Sequence, residues 1–111
     1  MYDLVFSKVI DSDFDQCYKY IKETLEAPIA AENLFKELYV KINSILKNPF
    51  RRSFVQDKYL ASLGIRSINI KNYVLFYTVT EENNSVNAVR FMYNKRDWVN
   101  LLKEKSLEEL F

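Results

Sequence analysis

The sequence predicts a single α+β domain in which an N-terminal strand and a helical hairpin pack on a three-stranded antiparallel meander, with one more helix at the C-terminal end. Three observations carry this expectation. Apolar residues recur at spacings of three, four and seven between Phe14 and Leu46, the period falls to two between Ile68 and Tyr93, and helical spacing returns from Trp98. The chain of 111 residues suits one hydrophobic core, so residues 1–111 are taken as one domain. Apolar residues make up 49%, against one glycine and two prolines, a composition that excludes disordered and collagen-like chains.

The opening stretch YDLVF alternates Tyr2, Leu4 and Phe6 with other residues and predicts a short edge strand. Asp11 or Ser12 is positioned to cap a helix whose inward stripe is Phe14, Cys17, Tyr18, Ile21 and Leu25. Glu26-Ala27-Pro28 breaks that stripe, and proline fits best in the first turn of a second helix. That helix runs through Leu34, Leu38, Ile42, Ile45 and Leu46 to Asn48-Pro49. From about residue 55 the period is two. Lys71-Asn72 predicts a tight hairpin and Glu82-Asn83-Asn84-Ser85 a polar turn, which gives three consecutive antiparallel strands. Asp97 can cap a helix through Trp98, Leu101 and Leu102, weakly continued by SLEELF. This apolar tail either docks on its own sheet or presents a face to a partner helix.

Several classes of function are excluded by what the chain lacks. With no histidine and one cysteine, Cys17, the zinc sites of nitrogen and sulfur ligands and the serine–histidine and cysteine–histidine nucleophile systems cannot be built. No cofactor or metal is expected. No apolar run approaches the roughly 20 residues that span a bilayer, and acidic residues interrupt the N-terminus before a signal-peptide core, so the cytoplasm is the expected compartment. Cys17 is expected to be a small buried hydrophobe.

Net charge is +1, but its distribution is uneven: residues 1–48 carry −2, residues 49–97 carry +4 and the remainder −1. The basic middle contains Arg51, Arg52, Arg66 and Arg90, and ends at Lys95 and Arg96. Pairing of strands brings remote residues within about 5 Å laterally, so Arg66, Arg90 and Arg96 are candidates for one basic face that attracts phosphate or carboxylate. The alternative is that these arginines pair with Asp57, Glu81 and Glu82. Tyr73, Tyr77 and Tyr93 fall on strands, where tyrosine packs well; Tyr93, beside Lys95 and Arg96, is the one expected to stay exposed. The pairs Asp11/Asp15 and Glu81/Glu82 are expected to be solvated.

The stretches NPFRRSFV (48–55), YLASLGIRSINIKNYVLFYTV (59–79) and VRFMYNKRDWVNLL (89–102) resemble the RelE/ParE toxins, as do the opening strand and the helical hairpin. The resemblance implies a RelE/ParE toxin fold and the toxin half of a bacterial type II toxin–antitoxin system, held in a heteromeric complex by a cognate antitoxin. RelE-like members cut messenger RNA on the ribosome, whereas ParE-like members poison DNA gyrase.

In the RNA-cutting branch the strand motif reads like GYRLVY, with an arginine that stabilises the phosphate transition state. Here the stretch is NYVLFY and that position is Val74. The preceding strand, IRSINI, offers Arg66 but no lysine, and the C-terminal tyrosine region reads WVNLL. Only Arg96 matches a basic position of the nuclease site. The near-neutral charge also suits a protein target better than RNA. The ParE-like reading is therefore favoured: a non-enzymatic gyrase inhibitor that binds its target through Arg66, Arg90, Tyr93, Lys95 and Arg96. The alternatives are a ribosome-dependent endoribonuclease, with Arg66, Arg96 and Tyr93 as its catalytic residues, and an antitoxin-binding module that has lost toxicity.

Overall fold

The computed structural model describes residues 1–105 and 107–111, so Ser106, within the predicted SLEELF continuation, lies outside the described residues. The strands are β1 (Asp3–Phe6), β2 (Arg66–Ile70), β3 (Tyr73–Thr80) and β4 (Ser85–Tyr93). The helices are α1 (Ile10–Lys19), α2 (Pro28–Lys47), α3 (Lys58–Ser62), α4 (Trp98–Lys103) and α5 (Leu107–Leu110). The meander β2-β3-β4 is antiparallel as expected, and β1 joins its β4 edge in parallel, giving one mixed sheet of order β1-β4-β3-β2.

The helical hairpin covers one face. Ile10, Cys17, Ile21, Ala31, Leu34, Leu38 and Ile45 pack there on Ile68, Ile70, Leu75, Tyr77, Val86 and Phe91. Ile10, Ile70 and Tyr77 are fully shielded from solvent; burying a large aliphatic side chain contributes roughly 1.5–3 kcal/mol. Pro28 begins α2 as predicted. Neither Asp11 nor Ser12 caps α1: the helix starts at Ile10 behind Val9, with no side-chain cap.

The other face carries a second core of Val55, Leu60, Ile65, Val74, Phe76, Val89, Met92, Leu102 and Leu110. The tail thus docks on its own sheet, and α5 is tied back by the Lys8 N–H donating to the Leu110 carbonyl at 2.6 Å. Helix α3 is absent from the sequence expectation, because its five residues fall where the period shortens to two. Asp57 caps it by accepting the Leu60 N–H at 2.9 Å and also meets Lys103, not an arginine. Asp97 stands at the head of α4, but its carboxylate accepts from the Asn100 side chain at 2.7 Å, not from a backbone amide.

One irregularity sets which side chains face which core. Phe76 pairs with Arg90 and Tyr77 with Ala88, so Val89 is an extra residue in β4, a β-bulge. Ser7 fastens it from the N-terminal side: its amide donates to the Ala88 carbonyl at 3.0 Å and its hydroxyl to the Val89 carbonyl at 2.7 Å. The inserted residue reverses the alternation, placing Phe91 and Tyr93 on the same face as Val86 and Ala88, and Arg90 on the opposite face.

Candidate functional site

At the end of the sheet where β3 begins and β4 finishes, an open groove of about 770 Å³ lies between the sheet and the end of the first helix. One wall comes from the residues following α1, Tyr20–Thr24, which form a π-helical turn closed by the Leu25 N–H donating to the Tyr20 carbonyl at 3.0 Å. Such widened turns concentrate at functional sites. The turn buries Ile21 and leaves Tyr20 half exposed at the rim. The chain then reverses through Glu26 at φ +51°, a position that favours glycine.

The groove floor is aromatic. Tyr73 stacks on Phe91, with ring centres 5.2 Å apart, and Tyr93 meets the edge of Tyr73 at 5.7 Å. Phe14 and Phe35 continue the cluster toward the helices. Cys17 is buried, as expected, in the groove wall. Burial pushes the Cys17 thiol up, partly offset by its contact with Tyr73. Burial, and then the same contact, push the Tyr73 phenol far up. Neither group is poised to ionise near neutral pH.

Two cations stand at the rim. Lys71 occupies the β2–β3 hairpin with φ +55°, and Arg96 follows β4 in a turn closed by its own N–H donating to the Tyr93 carbonyl at 3.1 Å. Among the described residues neither has a carboxylate partner. Lys95 is exposed beside them, outside the groove lining.

Arg90 is not part of this rim. Its guanidinium forms a two-point pair with Asp13, Nε at 2.7 Å and Nη2 at 2.9 Å, and the same carboxylate accepts the Phe91 N–H at 3.0 Å. The reason is local: β1 covers the β4 edge only as far as Ala88, and beyond it Asp13 of α1 takes over the free edge amide. Asp13 holds the Arg90 guanidinium firmly protonated.

Arg66 is also separate. On β2 it lies opposite Tyr77, its guanidinium 4.0 Å from the centre of the Phe54 ring and 5.4 Å from that of Phe50, while it donates to the Arg52 carbonyl at 2.5 Å. The expected common face of Arg66, Arg90 and Arg96 is therefore formed only in part: two phenylalanines retain Arg66, whereas Arg90, turned by the bulge to the other side of the sheet, shares with Arg96 a smaller hollow lined also by Ser12, Asp13, Gln16 and Glu104. The alternative pairing with Asp57, Glu81 and Glu82 is not formed either; among the described residues Glu81 and Glu82 make no ion pair. Tyr77 is a core residue whose hydroxyl donates to the Pro49 carbonyl at 2.8 Å. Of the predicted site residues, Tyr93, 39% exposed, and Arg96 share the groove, with Lys95 adjacent.

Sequence reasoning missed Asp13, Tyr20, Lys71 and the floor residue Phe91. A charge at position 13, on a helix whose other acids face solvent, gives no sign of its partner 77 residues away. Lys71 had a signal, since lysine in a two-residue hairpin is an unusual choice.

A family model, the ParE toxin of type II toxin-antitoxin system, parDE, matches residues 4–98. No curated protein sequence matches. Among solved structures, the chain is similar to the chromosomal ParDE toxin–antitoxin system from P. aeruginosa (TM-score 0.66, 13% identity, 84% of this chain and 96% of that one). It is also similar to the toxin-antitoxin complex RelBE2 from Mycobacterium tuberculosis (TM-score 0.58, 17% identity, 83% and 96%) and to the isolated E. coli RelE toxin (TM-score 0.59, 16% identity, 94% and 98%). These likenesses show the fold, and the family match over most of the length places this chain in the ParE toxin family of type II toxin–antitoxin systems.

Proposed function

We propose that this toxin arrests growth by poisoning DNA gyrase, without catalytic chemistry of its own, and is neutralised by a cognate antitoxin that covers the groove. The contact surface is the groove rim of Tyr93 and Arg96 with adjacent Lys95. The aromatic floor takes up an apolar segment of a protein partner, and the unpaired cations favour acidic groups or backbone phosphates beside it.

The observation that carries the reading is the place of Val74. Where the RNA-cutting branch is expected to present an arginine to the phosphate, this chain has a 6% exposed side chain packed among Leu60, Phe76, Met92 and Leu102 under α3 and α4. No phosphate could reach that position without unpacking the second core. Arg66, another candidate cation of the nuclease reading, is held against Phe54 and Phe50 and donates to the Arg52 carbonyl.

The test is to induce the chain without antitoxin and follow DNA and protein synthesis separately by pulse labelling, then assay supercoiling by purified gyrase. An early stop in DNA synthesis with gyrase-dependent DNA breaks, both lost in Arg96→Ala and Tyr93→Ala, is the expected result. An early stop in translation with ribosome-phased message cleavage would overturn it in favour of the nuclease. Normal growth of cells containing folded chain would reduce it to an antitoxin-binding module.

A further inference from the structure

The outer face of α2 carries large apolar side chains in solvent. Ile29 is 72% exposed, Tyr39 70% and Val40 60%. Between them lie Glu32 and Lys36, both exposed and, among the described residues, neither in an ion pair, although they sit one helical turn apart. A shallow hollow of about 520 Å³ opens beside them, lined by Tyr18, Phe35 and Tyr39 together with Glu32, Lys36 and Val40.

Ile29, Glu32, Lys36, Tyr39 and Asn43 are spaced three and four residues apart, the seam along which one helix packs on another. We propose that this seam is an isologous interface at which a second copy of the chain docks, α2 against α2 and antiparallel about a two-fold axis near residue 34. In that register Glu32 of each copy faces Lys36 of the other, and Ile29 of each enters the hollow beside Tyr39 of the other. One knob and one hollow per chain, with one acid and one base between them, is the self-complementarity that a two-fold axis requires. A parallel arrangement in register would instead set Glu32 against Glu32 and Lys36 against Lys36.

The overlap from Pro28 to Val40 is about 20 Å of helix. A single helix pair of that length falls below the roughly 1,200 Å² of buried surface typical of stable complexes, so the dimer is weak and concentration-dependent. Its ion pairs lie beside the axis of a narrow, solvent-bordered contact, and salt weakens it further.

Sedimentation equilibrium of the full chain, freed of antitoxin and studied from micromolar to near-millimolar concentration, tests this. The expected result is a mass that rises toward twice that of the monomer. Lys36→Glu and Glu32→Lys each weaken self-association by about tenfold or more, because each sets like charges opposite one another. The double exchange Glu32→Lys with Lys36→Glu restores it, and Ile29→Asp abolishes it. All three positions changed are exposed, and circular dichroism establishes that the variants fold. A chain that stays monomeric throughout, or single charge reversals that the double exchange does not repair, overturns the proposal. So does a monomeric chain in which Lys36→Glu weakens antitoxin binding, an outcome that assigns the face to the antitoxin.

Discussion

Removing Asp13 is the sharpest single perturbation of this fold. Its carboxylate accepts three hydrogen bonds, two from the Arg90 guanidinium and one from the Phe91 amide, and its side chain is 9% exposed against 18% for Arg90. Asp13→Ala leaves a half-buried cation and a sheet-edge amide without partners. Breaking a buried pair from one side costs about 3–5 kcal/mol, and the residual exposure of Arg90 reduces this to about 2–4 kcal/mol. For a chain of this size that is a fall in Tm of roughly 10–15 °C. Asp13→Asn keeps an oxygen for the Phe91 amide and should fall between wild type and alanine. Replacing both ends, Asp13→Ala with Arg90→Met, removes the stranded charge, so the double variant should be more stable than the sum of the single losses by about 1–3 kcal/mol. Thermal and urea unfolding of the four proteins completes the cycle. A cost below about 0.5 kcal/mol for Asp13→Ala, or strict additivity, would refute the assignment of Asp13 as the fastening of the β4 edge.

Other outcomes follow from single contacts. Arg66→Ala should cost about 1–2 kcal/mol through lost stacking on Phe54 and Phe50, measured by urea unfolding, yet leave growth arrest in cells intact. Tyr77→Phe removes a buried hydroxyl and strands the Pro49 carbonyl, at about 1–2 kcal/mol in the same assay. Glu26→Gly relieves the positive φ at the end of the first helix and should raise Tm, with a gain of about 0.5–1 kcal/mol. Asp57 titrates below the usual carboxylate range, chiefly because the Leu60 amide bonds its charged form and secondarily through Lys103. Its contribution is therefore complete above the ordinary carboxylate value and is lost as pH falls through the lowered one. Asp57→Asn should flatten that acid-side loss in an unfolding series below neutral pH.

The order of the major elements was legible because each announces itself by period: the stripe from Phe14 to Leu25, the proline that opens α2, and the alternation around Ile68, Leu75 and Val86. The site was less legible because alternation presumes an unbroken ladder. Val89 breaks it, and reading through the bulge assigns Arg90 to the face that Phe91 and Tyr93 occupy. No residue type marks the insertion, since Val89 is as apolar as its neighbours and buried like them. Helix α3 escaped for a related reason: at five residues it is too short to establish a period, and only Asp57 at its head and Gly64 at φ +83° beyond it carried local signals. The parallel pairing of β1 depends on a contact spanning most of the chain, which local pattern does not encode.

The bulge also decides where binding can occur. With α1 and α2 on one face and α3, α4 and α5 on the other, both faces of the sheet are covered by the chain's own helices, which leaves the strand ends, the sheet edges and the outer surfaces of the helices accessible. At one end, two non-glycine residues at positive φ, a π-helical turn and two unpaired cations surround a single aromatic groove. Each of the strained features costs stability, and their convergence is the pattern expected where rigid placement of side chains matters more than local propensity. The same bulge sends Arg90 away to Asp13 and brings Tyr93 in. Arg96 then lines the groove with the exposed tyrosine and, among the described residues, has no carboxylate partner. Whatever the target, its contact with this toxin should therefore depend on Arg96 and Tyr93 and be nearly indifferent to Arg66.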